Sequence, residues 1–132
     1  MTAILSAQND AGGNPDRNLI GGELITLEGL RLKYRYSTGR EYLLTFDADR
    51  VVFQMLNGED LTARSIGYRA RRLRDDQYVI GWVRVGDPEA GRPTFAVTLV
   101  VDFQENKLYA SALMDSDYAL FDEAELLEVT RP

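Results

Sequence analysis

The stretch Leu30-Arg31-Leu32-Lys33-Tyr34-Arg35-Tyr36 decides the fold. Large apolar or aromatic side chains alternate with cations over the whole run. A period of two puts one kind on each face of an extended chain, so the stretch predicts a strand half-buried on one side. Leu32, Tyr34 and Tyr36 are expected to face the interior, and Arg31, Lys33 and Arg35 the solvent.

The same period continues on the C-terminal side. Thr38-Gly39 reads as a tight turn, and Tyr42, Leu44 and Phe46 carry the apolar face onward. Asp47-Ala48-Asp49 turns the chain again. Arg50 to Leu56 is rich in β-formers and ends at Asn57-Gly58, a strong hairpin signal. Residues 61–73 are ambiguous, but Gly67 in the middle of a helix would be costly, and Ile66, Tyr68 and Ala70 alternate, so a strand is preferred. Further strands are predicted over Gln77 to Val85, Thr94 to Phe103, Lys107 to Met114 and Ala124 to Thr130. Gly86 to Pro93 is a clear break. The result is about eight short strands on hairpin-length loops, with no intervening amphipathic helix. An antiparallel meander must protect its edges, and closure into an all-β, up-and-down barrel is the usual solution. An eight-stranded barrel has room for side chains or one small ligand.

N-terminal to this stretch the signals fade. Residues 9–18 are turn formers with nothing to pack, so 1–27 is expected to be a flexible segment that can cover the barrel, with 28–132 as the single domain. The segment lacks the basic and apolar regions of a secretory signal, which predicts a cytoplasmic protein. No run reaches the length of a membrane-spanning helix, and no membrane partner is expected.

Composition removes many chemistries. The 132 residues contain no Cys and no His. That excludes disulfides, thiolate nucleophiles, imidazole metal sites and a His general base. No metal site and no cofactor are expected. The net charge of −6 argues against nucleic acid as a partner. The basic residues are 13 Arg and two Lys, and Arg is the side chain suited to two-pronged anion contacts. A codon bias toward Arg is the plainer account.

Several residues on inward faces carry possible chemistry. Tyr34 and Tyr36 share a face, with Tyr42 beyond the turn. Phenols can hold a carboxylate or carbonyl oxygen or act as acids; the plainer reading is core tyrosines with hydroxyls at the rim. Arg64 stands apart at the start of a run of arginines and can point inward. The run itself (Arg69, Arg71, Arg72, Arg74) reads as a solvated face. Arg84 follows Tyr78, Ile80 and Trp82. Inside the barrel it needs an acid such as Asp102, or an anionic ligand; at an exposed strand end it needs neither. Tyr68, Tyr78, Trp82 and Leu99 complete the candidate lining. Asp115, Asp117, Asp122, Glu123 and Glu125 read as a solvated face.

The succession Leu32 to Tyr42, Arg64, Asp76-Gln77-Tyr78-Val79-Ile80-Gly81-Trp82 and Val97 to Phe103 resembles the MoaF-like family and the related phenolic acid decarboxylases. The resemblance spans about residues 28 to 114. It implies a calycin, lipocalin-like barrel, in agreement with the meander. It also implies that Tyr34 and Tyr36 hold a substrate carboxylate, that Tyr42 is a third site tyrosine, and that Arg64 is the inward arginine. The decarboxylases carry a Glu where this chain has Arg84, and a C-terminal extension that it lacks. Decarboxylation by that route is therefore not expected. Many MoaF-like proteins hold two barrel repeats, so a homodimer is the natural counterpart for a single one.

Three functions follow as expectations. The first is binding of a small aromatic or conjugated organic anion in the barrel, with Tyr42, Tyr68, Tyr78, Trp82, Arg84 and Leu99 as contacts. The second is a cofactor-independent lyase, isomerase or cyclase, with Tyr34, Tyr36 or Tyr42 as acid and Arg64 or Arg84 holding negative charge. The third is a protein-interaction module.

Overall fold

The computed structural model describes residues 23–114 and 117–132. Nine strands follow in order: β1 (Arg31–Tyr36), β2 (Glu41–Phe46), β3 (Arg50–Met55), β4 (Arg64–Gly67), β5 (Arg69–Arg74), β6 (Gln77–Arg84), β7 (Phe95–Asp102), β8 (Lys107–Met114) and β9 (Asp117–Thr130). Among the described residues the helical structure is one 3-10 turn, Pro88–Ala90, in the β6–β7 loop.

All nine strands lie in one antiparallel sheet, ordered β4-β3-β2-β1-β9-β8-β7-β6-β5. First and last elements meet inside it, where β1 pairs with β9. Its two edges, β4 and β5, are consecutive in the chain and separated by Tyr68 alone. The chain therefore steps from one edge of the sheet to the other across a single residue, and the sheet curls into a nearly closed barrel. The count of nine corrects the expected eight. The stretch 61–73 is strand, as its alternation predicts, but it breaks at Tyr68 so that β4 can pair with β3 and β5 with β6.

Two other boundaries differ from expectation. Asn57-Gly58 does not make a two-residue hairpin, because the last β3–β4 pair is Phe53 with Arg64. The Asn57 side chain instead donates to the Gly39 carbonyl and accepts from the Glu41 N–H, tying this loop to the β1–β2 turn. The last strand starts at Asp117, not Ala124. Its first half pairs with β8 through Leu113–Tyr118, Ala112–Leu120 and Ser111–Phe121, with a bulge between Ala112 and Leu113. A bulge breaks strict alternation, which hides such a strand from a period-two reading.

The deciding stretch folds as its period requires. Leu32, Tyr34 and Tyr36 are buried, while Arg31 and Arg35 are exposed and Lys33 is half-buried. On the outer face Lys33 meets Glu128, and Arg35 meets Glu41 and Glu125.

One end of the barrel is packed solid. Phe46, Leu32, Val51, Ile80, Val101 and Leu108 are fully buried there. Burial of each such side chain contributes roughly 1.5–3 kcal/mol. Leu27 and Leu30 cap this end from the N-terminal side. Ile25 bridges to Ala70, and the Leu27 N–H donates to the Tyr68 hydroxyl at 2.9 Å. That hydroxyl donates in turn to the Asp47 carbonyl at 2.7 Å. Ile25 and Leu27 thus lie against the barrel; residues 1–22 of the expected 1–27 segment fall outside the described residues.

Candidate functional site

The opposite end of the barrel is hollow. A cavity of about 450 Å³ opens there. Its walls come from strand ends that meet at this rim: Tyr34, Tyr36 and Tyr42 from β1 and β2, Phe53 from β3, Trp82 and Arg84 from β6, and Leu99 at depth from β7. Arg40, in the β1–β2 turn, completes the mouth. The volume lies in the usual range for a small-molecule site, ~300–1,000 Å³.

Three tyrosines form one cluster. Their ring centroids are 5.4 Å (Tyr34–Tyr36), 5.9 Å (Tyr34–Tyr42) and 5.6 Å (Tyr36–Tyr42) apart. Two contacts are edge-on and one is stacked, the arrangements favoured by ring quadrupoles. Period two brings Tyr34 and Tyr36 together, and the register Tyr34–Tyr42 across the hairpin adds the third. Burial pushes the Tyr34 phenol well above its ordinary range, and the neighbouring Tyr36 adds to this. Burial also raises Tyr36, and the Asp122 carboxylate nearby raises it further. Near neutral pH both are donors, not phenolate bases.

The opposite wall is flat and aromatic. Trp82 stacks on Phe53 at 5.8 Å. Above it the Arg84 guanidinium lies over the Phe95 ring, 5.5 Å from its centroid. Among the described residues neither Arg84 nor Arg40 is paired with a carboxylate.

Asp122 holds the rim in place. Its Oδ1 accepts from Ser37 Oγ at 2.6 Å and from the Glu123 N–H at 2.7 Å. The Ser37 hydrogen bond, with contributions from Glu123 and Thr38, keeps its carboxyl below the usual range. The β1–β2 turn, where Gly39 takes φ +98, is thereby tied to β9. Asp122 Oδ2 is buried and has no hydrogen-bond partner among the described residues.

Of the residues singled out from sequence, Tyr34, Tyr36, Tyr42, Trp82, Arg84 and Leu99 come together around the cavity. Three do not. Arg64 sits at the start of β4 with its side chain 36% exposed and bonds Asp60 Oδ2 at 2.8 Å. Asp60, four residues earlier, has drawn it out of the barrel. Tyr68 is buried at the packed end, edge-on to Phe46. Tyr78 packs edge-on against Phe103, also at that end. Asp102 is not the partner of Arg84: it accepts from Gln77 at the far end of β6 and from the turn N–H groups of Gln104 and Glu105. Asp122 points to the Ser37 turn instead of forming part of a solvated acidic face. Arg40 was missed, because a turn position has no periodicity to show which way it faces. Comparison with protein-family models and with curated proteins yields no match for this chain.

Proposed function

We propose that the protein binds a small, conjugated organic anion in the open end of its barrel. The observation that carries this is the composition of the cavity wall. Apolar and aromatic side chains make most of it, and among the described residues its polar side-chain groups are tyrosine hydroxyls, the Trp82 indole N–H and two arginines, with no carboxylate. Apolar walls supply affinity, and a few polar groups orient the ligand. The stacked Trp82–Phe53 pair offers a flat surface to a planar molecule.

Binding is favoured over catalysis by the same groups. A general acid works best with a pKa near the working pH, and the Tyr34 and Tyr36 phenols are displaced far above it. Kinship with the MoaF-like barrels is part of the proposal and is supported by the quoted motifs and the meander. So is a homodimer: Leu113, Tyr118 and Phe121, the last 77% exposed, stand together on the outer face of β8 and β9. Clusters of this kind mark association surfaces. Sedimentation should give twice the monomer mass for the native chain and the monomer mass for Phe121→Glu.

Thermal stabilisation by a panel of aromatic and polyene carboxylates tests the ligand. Some members should raise the melting temperature of the native chain. They should not raise that of Ala112→Leu, which fills the cavity from β8. Equal stabilisation of both chains, or of neither, contradicts the proposal.

A further inference from the structure

Among the described residues four cationic side chains are half-buried: Lys33, Arg64, Arg84 and Lys107. Three of them meet a carboxylate, Lys33 at Glu128, Arg64 at Asp60 and Lys107 at Glu123. Arg84 meets none. The arginine hydrogen bonds of the described residues belong to Arg50, Arg64 and Arg131, so the Arg84 guanidinium also has its N–H groups free. Taking a cation partly out of water without an acceptor is costly, and its neighbours show that the fold elsewhere supplies one. Here the open side of the guanidinium is the cavity, whose wall contains no carboxylate among the described residues.

One contact does hold Arg84. Phe95 is its partner across the β6–β7 pair, and the guanidinium carbon lies over the Phe95 ring, 5.5 Å from its centroid. Both residues line the cavity. The face of an aromatic ring attracts a guanidinium and restricts where it can swing, but leaves its donors available for an acceptor. Arg40, the other arginine of the wall, is exposed in the β1–β2 turn, and the cation–ring contacts of the described residues do not include it. Water screens an exposed charge and weakens its pairing. The two arginines are therefore unequal: one is partly desolvated and held in place, the other is neither.

We propose that Arg84 is the residue that selects the ligand's charge, that the group it selects is a carboxylate, and that Phe95 is the positioning residue that keeps the guanidinium ready. A carboxylate offers two oxygens to the two parallel N–H groups of an arginine fork, whereas a phenolate or enolate offers one. Trp82 lies on the same face of β6 two residues away, about 7 Å along the strand. A carboxylate on Arg84 thus leaves a flat body beside the Trp82–Phe53 pair. This assignment rests on the binding function proposed above and adds which group of the wall reads the charge.

Trp82 is the sole tryptophan, so its fluorescence reports on the cavity. Biphenyl carboxylate and biphenyl carboxamide, equal in shape and different in charge, are titrated into the full native chain and into single variants. The native chain should prefer the carboxylate by roughly 10- to 150-fold, the range for a charge-assisted contact. Arg84→Gln should bring the two affinities to within about fivefold of each other, while Arg40→Gln should lower the preference by about fivefold at most, the range for an exposed pair. Phe95→Leu should lower the preference and Phe95→Tyr should restore it; the carboxamide affinity of each variant separates this from a change in cavity shape. A preference that survives in Arg84→Gln, or that Arg40→Gln abolishes, overturns the assignment to Arg84 and leaves the binding function standing. A preference unchanged in Phe95→Leu overturns the positioning role. A native chain that binds neither probe, or both equally, overturns the binding of an anion as well.

Discussion

Single hydroxyls and carboxyls decide much of what the packed end and the tyrosine cluster do. Tyr68 closes the seam between the sheet edges, and its oxygen serves the Leu27 N–H and the Asp47 carbonyl together. Tyr68→Phe keeps the ring on Phe46 but leaves a buried N–H unpaired. It should cost about 1–3 kcal/mol in denaturant unfolding, with the slope unchanged; no loss would show that the hydroxyl is dispensable for closure. The phenols of Tyr34 and Tyr36 behave differently from ordinary tyrosines. Their folded-state pKa values are raised above the ordinary value of 10.0, so the folded chain holds these protons more tightly than the unfolded one. Their contribution to stability is fully present below about pH 10 and is lost as pH rises above it. Tyrosine absorbance titration should show Tyr34 and Tyr36 ionising late. They should ionise together with unfolding, and Tyr34→Phe/Tyr36→Phe should remove that late phase. A titration that the Tyr34→Phe/Tyr36→Phe variant leaves without loss of a late phase would contradict the buried cluster.

At the scale of elements, alternation told which face a residue occupies but not how far along the barrel it lies. Tyr34, Trp82 and Tyr68 all read as inward, and all are buried. Only the first two reach the cavity, because strand tilt and stagger set height, and these depend on pairings between distant segments. Arg64 shows a second limit. It is in phase with Ile66 on β4, yet it turns to Asp60, a local acid whose carboxyl is itself held down to about 2 by Thr62 and Arg64. The pairing was visible as a four-residue spacing, but nothing in the period could weigh it against an inward rotamer. The β9 bulge hid the first half of that strand in the same way. These early residues of β9 matter for the rim through Asp122. Asp122→Ala should speed amide exchange at Ser37, Thr38 and Gly39 and leave the β7 amides protected. Lowering the pH below the ordinary carboxylate range should loosen the same turn in the native chain, since the depressed pKa of Asp122 means its contribution is present above that range and lost beneath it. A turn unaffected by either change would show that Asp122 does not hold it.

Taken whole, the molecule is a barrel with a filled end and an empty one. The filled end receives the fully buried Phe46, Val51, Ile80 and Leu108; the empty end is ringed by Arg40, Arg84 and the tyrosine cluster. Both come from the same inward face of the sheet. The all-β meander was legible from Leu30 to Tyr36 outward, because a period of two leaves little else. The cavity was legible only as a set of inward aromatics, because its shape arises from how nine strands close. Fluorescence titration of Trp82 with biphenyl carboxylate, in the native chain beside Ala112→Phe, asks whether the hollow end takes up a planar anion. Saturable quenching or a shift of Trp82 emission is expected in the native chain, and none once the added ring fills the cavity. An identical response in both chains, or saturable binding that leaves Trp82 unaffected, would contradict it.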